Sequence, residues 1–152
     1  MEPPLRNCKL YPDNPGETVT QRNKHLEAFF ARYGEALTTG DPSAIANCYG
    51  VPALVLSDDG SAPIASREQI EAAFRGAAER YRAQGLVAVR PVLVASEAIT
   101  ERLVSADVHW DYLDDRGNSA RQEGYRHDYR YVLRLDEEAG PRIQVVIEMP
   151  AR

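Results

Sequence analysis

The stretch Ala36–Gly50, with the sequence ALTTGDPSAIANCYG, joins the end of one helix to a second, short helix. Gly40 suits the position just after a helix, where the backbone often takes the left-handed conformation. Asp41 followed by Pro42 predicts the start of the next helix, because aspartate caps helices and proline fits their first turn. The short apolar run Ala53–Leu56 then favours a buried strand.

The segments on either side of this stretch have the periodicity of amphipathic helices. The first helix, which Thr18 or Thr20 can cap, has apolar residues at helical spacing: Leu26, Phe29, Phe30, Tyr33 and Leu37. In a third helix, Ser66 and Gln69 form a capping box, and Gly85 follows the last turn. Its apolar residues are Ile70, Phe74, Ala77 and Tyr81.

The rest of the chain changes to the alternating period of β-strands. Four runs have this pattern: Leu86–Ala95, Leu103–Leu113, Arg121–Leu135 and Ile143–Met149. Pro91 predicts a bulge or an edge position in the first of them, because proline cannot donate a ladder hydrogen bond. Helices followed by consecutive antiparallel-type strands indicate an α+β fold, in which one face of an antiparallel or mixed sheet packs on the helices.

The length of 152 residues predicts one domain with a core of its own. Residues 1–17 contain four prolines and are predicted to form an extended N-terminal arm, so that residues 18–152 make up the single domain. The net charge is −5 and the pI is about 5.2. This acidity argues against nucleic acid or an anionic membrane as a partner, because phosphate binding needs a basic surface.

The sequence predicts no metal site, cofactor or membrane anchor. His25, His109 and His127 fall on separate elements without metal-ligand spacing, and no nucleotide-binding or hydrolase motif occurs. The N-terminus lacks the apolar segment of a signal peptide, and no apolar run is long enough to span a bilayer. Cys8 and Cys48 are expected to be free thiols in a reducing cytoplasm.

The heptapeptide Tyr125–Tyr131, YRHDYRY, brings together residue types that are common in catalytic sites. Because side chains alternate along a strand, the ones predicted to point inward are Tyr125, His127, Tyr129 and Tyr131. Those predicted to point outward are Arg126, Asp128, Arg130 and Arg134. The alternation separates His127 from Asp128, so these two neighbours are not expected to form a catalytic dyad.

The preceding strand has the same division. Its predicted inward residues are Val104, Ala106, Val108, Trp110 and Tyr112, and its outward ones are Asp107, His109 and Asp111.

The charged outer face of the sheet has two interpretations, which stay open here. It is either a solvated sheet face with weak cross-strand ion pairs or a subunit interface.

The inward aromatic residues favour a small-molecule pocket, because several rings with polar tips converge there. The predicted ligand-binding residues are Tyr49, Phe74, Trp110, Tyr125, Tyr129 and Tyr131, and the candidate catalytic residues are His127 and Tyr33. The alternative is an ordinary core, in which each hydroxyl binds backbone or water. The side chain of Glu148 is expected to point outward and to pair with an arginine. If it pointed inward, it would be a buried carboxyl with a raised pKa and a candidate base.

The order of elements and several motifs resemble the nuclear transport factor two-like superfamily, which includes SnoaL-like polyketide cyclases, ketosteroid isomerases and scytalone dehydratase. The similar segments are Ala36–Gly50 with the strand after it, Ser66–Ile70, Val132–Leu135 and Arg142-Ile143. The resemblance extends over about Leu26 to Met149. It implies a strongly curved sheet wrapped around the helices as a cone, a pocket at the open end, and dimerisation through the outer sheet face.

The resemblance implies less about the reaction. It places Tyr33 where the isomerases have an oxyanion-donating tyrosine and Tyr49 at a second pocket tyrosine. The isomerase base falls near Ser57 and the second acid near Tyr131, and neither residue is a carboxylic acid. The dehydratase pattern needs two inward histidines, and only His127 is predicted to point inward.

Three functions therefore stay open from the sequence. The first is a homodimer that binds a small, mostly apolar ligand in its pocket. The second is a cofactor-free isomerase, dehydratase or cyclase, with His127 as general base and with Tyr33 and Tyr129 as donors to a developing oxyanion. The third is an interaction or dimerisation domain that uses its charged sheet face.

Overall fold

A computed structural model of the chain describes residues 18–120 and 126–150. Within these ranges it is an α+β fold with a mixed sheet, as predicted; it has four helices where three were predicted, and seven strands where five were predicted. The elements in chain order are α1 (Val19–Thr39), α2 (Pro42–Ala46), β1 (Tyr49–Ser57), β2 (Gly60–Ile64), α3 (Arg67–Phe74), α4 (Ala77–Ala83), β3 (Ala88–Ala98), β4 (Leu103–Leu113), β5 (Ser119–Ala120), β6 (Asp128–Asp136) and β7 (Gly140–Glu148). The predicted N-terminal arm and Tyr125 lie outside the described residues.

The turn between α1 and α2 has the geometry that its sequence predicts. Gly40 takes a left-handed φ of 77° and donates its N–H to the carbonyl oxygen of Ala36. The Asp41 carboxylate accepts from the N–H groups of Ser43 and Ala44 and so caps α2. A Cβ at position 40 would lie 2.6 Å from the Cβ of Ala78, so the tight packing of α4 against this turn also requires glycine.

The third predicted helix is divided in the structure. The capping residue Ser66 is confirmed, because its hydroxyl accepts from the N–H of Gln69. The helix nevertheless ends at Phe74, and α4 begins after Gly76, whose φ is 81°. Left-handed backbone cannot continue an α-helix, so the apolar spacing that extends to Tyr81 belongs to two short helices.

The sheet has the strand order β2-β1-β7-β6-β4-β3, with β5 paired to β4. The β1–β7 pair is parallel, and the other pairs are antiparallel. Pro91 lies in the edge strand β3, as predicted, and a register shift follows it between Leu93 and Ala95. The sequence predicted only a turn near Gly60, whereas the structure has the short edge strand β2 there; its mostly exposed small residues carry little strand signal.

The inner face of the sheet and α1 form the core. The largest fully buried side chains include Leu26, Phe29, Phe30, Leu133 and Ile143. In β4, burial alternates along the whole strand, which confirms the predicted inward set from Val104 to Tyr112. The described part of the chain contains no helix with the length and hydropathy needed to cross a membrane.

Candidate functional site: a tyrosine-lined cavity

A cavity of about 230 Å³ opens between the helices and the inner face of the sheet. Six of the chain's eight tyrosines line it. The lining residues are Tyr33, Leu37, Tyr49, Val55, Ile64, Ala73, Phe74, Tyr81, Val89, Trp110, Tyr112, Tyr129, Tyr131, Val146 and Glu148. Of the predicted site residues that the structure describes, all except His127 therefore meet at one cavity.

Two hydrogen-bonded pairs form the buried end of this cavity. The hydroxyl oxygens of Tyr33 and Tyr49 are 2.6 Å apart. The indole Nε1 of Trp110 donates to the hydroxyl oxygen of Tyr131 over 2.9 Å. The Tyr33 ring packs edge-on against Trp110 and Tyr131, with ring centroids 5.7 and 6.3 Å away. All four side chains are nearly inaccessible to solvent, so they form a fixed polar and aromatic floor.

Each tyrosine hydroxyl has one hydrogen to donate. In the Tyr33–Tyr49 pair, one hydrogen is used between the two oxygens, and the other has no acceptor among the described residues. Tyr131 accepts from Trp110, and no described residue accepts the hydrogen of Tyr131. The buried end can therefore donate two hydrogen bonds to a ligand or to water.

Burial keeps these hydroxyls protonated. It is the largest cause of the raised pKa values of Tyr33, Tyr49 and Tyr131, because removal from water penalises the charged tyrosinate. Burial, together with the nearby carboxylate of Glu148, raises the pKa of Tyr129 to about 12. At neutral pH these tyrosines are therefore hydrogen-bond donors and not bases.

Glu148 points inward and lines the cavity, so the preferred outward orientation was wrong. It lies opposite Tyr129 in the β6–β7 pairing, and its Oε1 is 3.3 Å from Nε of Arg126. The reason is a register shift: Val132 pairs with Val145 but Leu133 pairs with Ile143, so β7 contains one extra residue. Such a bulge reverses the alternation that a simple count along the strand predicts.

His127 lies just before the first residue of β6, and its carbonyl oxygen accepts from the N–H of Trp110. Its Nδ1 is 2.9 Å from the carbonyl oxygen of Trp110, and its ring packs against those of Tyr112 and His109. Its Nε2 is buried and has no hydrogen-bond partner within the described ranges. The described residues that line the cavity do not include His127, so the structure does not bring it to the cavity with the other predicted site residues.

The outer face contains a histidine–carboxylate pair that the sequence did not predict. Nδ1 of His109 is 2.9 Å from Oδ1 of Asp128, which lies opposite it in the β4–β6 pairing. Asp128 was expected among the outward charges, but only 5% of it is exposed. On the other side of the ring, Nε2 of His109 is 3.3 Å from Asp111, which also binds Arg90. The cross-strand register, and not adjacency in sequence, is the signal for this pair.

Arg130 and Asp107 form a second, more exposed pair on the same face, with two hydrogen bonds of 2.6 and 3.0 Å. This is the type of cross-strand ion pair that the sequence predicted for the outer face. No three histidine, cysteine, aspartate or glutamate side chains in residues 18–120 and 126–150 are arranged to hold a metal ion.

Comparison with known proteins identifies the fold family. A sequence model of the family described as NTF2-like protein (DUF6841) matches residues 23–149. No protein of curated function matches the chain.

Three solved structures share the fold at low sequence identity. A cystatin-like domain of unknown function from Nostoc punctiforme has a TM-score of 0.65 and 16% identity, over 89% of this chain and 80% of that chain. The protein Aln2 from a Streptomyces species has a TM-score of 0.63 and 17% identity, over 87% and 92%. An NTF2-like protein from Novosphingobium aromaticivorans has a TM-score of 0.58 and 16% identity, over 87% and 89%. At these identities the likeness establishes the fold alone.

Proposed function

The chain belongs to the NTF2-like family DUF6841, and we propose that its tyrosine-lined cavity binds a small, mostly apolar ring compound. The observation that supports this most strongly is the lining itself. Aromatic rings and aliphatic side chains make up nearly all of it, and a few polar groups converge at its two ends. This combination is the usual form of a small-molecule site.

The size of the cavity limits the ligand. Its volume of about 230 Å³ equals that of roughly eight molecules of liquid water. One or two fused rings fit this space, and flat rings can pack on the faces of Tyr33, Trp110 and Tyr131. The floor of bonded hydroxyl and indole groups favours a compound with at least one oxygen substituent.

The acid–base alternative, with His127 as base and Tyr33 and Tyr129 as donors, has less support. A general base must be within hydrogen-bond reach of the proton that it removes. The ring of His127 packs edge-on against Tyr112 and is not part of the cavity lining, and its Nδ1 is bonded to the backbone. We therefore prefer ligand binding to catalysis by this histidine.

We also propose that the protein is a homodimer through the outer face of its sheet. The half-buried apolar residues of that face form one patch: Leu54, Leu56, Val132, Val145 and Ile147. The flanking charges of Arg130 and Asp107 bind each other, so a second copy can cover them without leaving either unpaired.

The dimer can be tested by sedimentation velocity. Val145→Asp should convert a dimer to a monomer, whereas Ala72→Asp on exposed α3 should not. A wild-type protein that sediments as a monomer contradicts the proposal.

A cytoplasmic location is a further proposal. Cys48 is a buried free thiol, and burial raises its pKa, which makes it a poor nucleophile for disulfide exchange. Free thiols of this kind are typical of a reducing compartment. Fractionation of the cells that produce the protein tests this, and recovery outside the cytoplasm contradicts it.

Ligand binding can be tested through Trp110, the chain's only tryptophan. Because its indole lines the cavity, a bound naphthalene derivative should quench its fluorescence in a saturable manner. Ala73→Phe places a ring at the exposed edge of the lining and should abolish the quenching. Ala72→Phe is the matched control, since Ala72 is exposed on the same helix and is not a lining residue. Equal quenching in both variants would contradict binding in this cavity.

A further inference from the structure

The polar groups of the cavity are arranged in two levels along β6. Tyr131 lies opposite Val146 at the buried level, and Tyr129 lies opposite Glu148 at the next inward-facing position. Two residues of a strand span about 7 Å. Tyr131 is 3% exposed, whereas the Glu148 side chain is 32% exposed, so the second level is nearer to solvent. A ligand that fills the cavity therefore meets different chemistry at its two ends.

The buried level offers hydrogens. The hydrogen of Tyr131 and one hydrogen of the Tyr33–Tyr49 pair lack an acceptor among the described residues. A ligand oxygen that accepts hydrogen bonds satisfies these donors. An apolar group at the same place leaves buried donors unpaired, which costs free energy. This end of the cavity therefore favours a carbonyl, ether or similar oxygen.

The exposed level offers an acceptor. Among the described lining residues, Glu148 is the one acidic side chain, and it lies beside Tyr129. Its Oε1 is close to Nε of Arg126, and a carboxylate has about four lone-pair sites, so it can accept further bonds. Arg126 already compensates the negative charge, so the site does not need a cationic ligand. A ligand carboxylate at this place would face Glu148 and be repelled.

We infer that Glu148 determines the specificity of the cavity, and that the ligand is an uncharged one- or two-ring compound with an acceptor oxygen at its buried end and a hydroxyl at the end that meets Glu148. The inference rests on the proposed function, because it concerns the ligand of the same cavity. It assigns to Glu148 the role of accepting the hydroxyl hydrogen.

Three naphthalene probes test this: 6-hydroxy-2-acetylnaphthalene, 6-methoxy-2-acetylnaphthalene and 2-ethylnaphthalene. Isothermal titration calorimetry gives the affinity of each. The wild-type protein should bind the hydroxy probe about tenfold more tightly than the methoxy probe, as expected for a hydrogen bond to a charged acceptor. Glu148→Gln should reduce that ratio severalfold. Glu138→Gln, at an exposed turn, is the matched control and should keep the wild-type ratio.

The outcomes separate the inference from the proposed function. If the wild-type protein binds 2-ethylnaphthalene but binds the hydroxy and methoxy probes equally, the inference is overturned and the proposed function stands. If none of the probes binds, the proposed function fails with it. If Arg126→Gln abolishes the hydroxyl preference while Glu148→Gln retains it, the selecting residue is Arg126 and the assignment to Glu148 is overturned. The ratio of the affinities of the hydroxy and methoxy probes is measured on the wild-type protein, so this test does not depend on whether a variant folds.

Discussion

Glu148 lies directly opposite Tyr129 in the pairing of β7 with β6, and both side chains line the cavity. The two residues influence each other, because the Glu148 carboxylate adds to the effect of burial and raises the pKa of Tyr129. An acceptor and a protonated donor therefore stand side by side at the more exposed end of the cavity. The buried end, around Tyr33 and Tyr131, has donors alone that lack acceptors among the described residues.

The Tyr33–Tyr49 hydrogen bond should show strong coupling in a double-mutant cycle. Tyr33→Phe or Tyr49→Phe alone should lower the free energy of unfolding by about 1–2 kcal/mol, because each leaves the other hydroxyl buried without its partner. The double variant should lose less than the sum, since it removes both groups. Urea unfolding monitored by circular dichroism measures these values. Additive losses would show that the two hydroxyls do not bind each other.

Gly40 should be less tolerant of alanine than Gly85. Both have left-handed φ values, 77° and 83°, so alanine costs about 1–2 kcal/mol of stability at either position. A Cβ at position 40 also collides with Ala78 at 2.6 Å, whereas position 85 has open space. Gly40→Ala should therefore lose roughly 1–3 kcal/mol more than Gly85→Ala in urea unfolding. Equal losses would contradict the close contact between α4 and this turn.

Asp128 should matter for stability more than Asp107, although both lie on the outer face. The Asp128 side chain is 7% exposed and binds His109, whereas that of Asp107 is 21% exposed and binds Arg130. Asp128→Asn should lower the free energy of unfolding by about 1.5–3 kcal/mol, the range for a hydrogen bond to a buried charged group. Asp107→Asn should lower it by less than about 1 kcal/mol. A larger loss for Asp107→Asn in the same urea series would contradict the burial of Asp128.

Alkaline pH should unfold the protein through its buried tyrosines. The pKa values of Tyr33, Tyr49 and Tyr131 lie above the ordinary value of 10.0 in the folded state. The unfolded chain therefore loses these protons at lower pH, and stability falls where the unfolded state binds fewer protons. We expect no effect of these groups between about pH 7 and 9 and a fall above about pH 10. The ultraviolet absorbance of tyrosinate measures this, and ionisation of all three before unfolding would contradict it.

Local sequence signals were sufficient to predict much of the fold and the inward residues that form the buried end of the cavity. Helix caps at Thr18 and Asp41 depend on a few neighbouring residues, and the structure has both. Trp110 and Tyr131 were correctly assigned to the inner face because β4 and this part of β6 alternate without interruption. Helical periodicity determines which face of α1 is buried, so it also predicted that Tyr33 points inward.

The errors arose where one residue changes a register or ends an element. Gly76 divides a helix that has continuous apolar spacing, and the bulge in β7 turns Glu148 inward. His127 lies one residue before β6, and its ring packs on Tyr112 and His109 and is not part of the cavity lining. The bulge in β7 depends on pairing with a distant strand, and the sequence of one segment contains no information on that pairing. The His109–Asp128 pair was missed for the same reason.

The most direct test of ligand binding in the cavity is a set of intermolecular nuclear Overhauser effects between 6-hydroxy-2-acetylnaphthalene and the protein. We predict contacts from the naphthalene protons to the rings of Tyr129, Tyr131 and Trp110, which line the cavity. The hydroxyl-bearing ring should be nearer to Tyr129 than to Trp110. Contacts confined to outer-face residues such as Val132 and Ile147, with none to the three aromatic rings, would contradict the account.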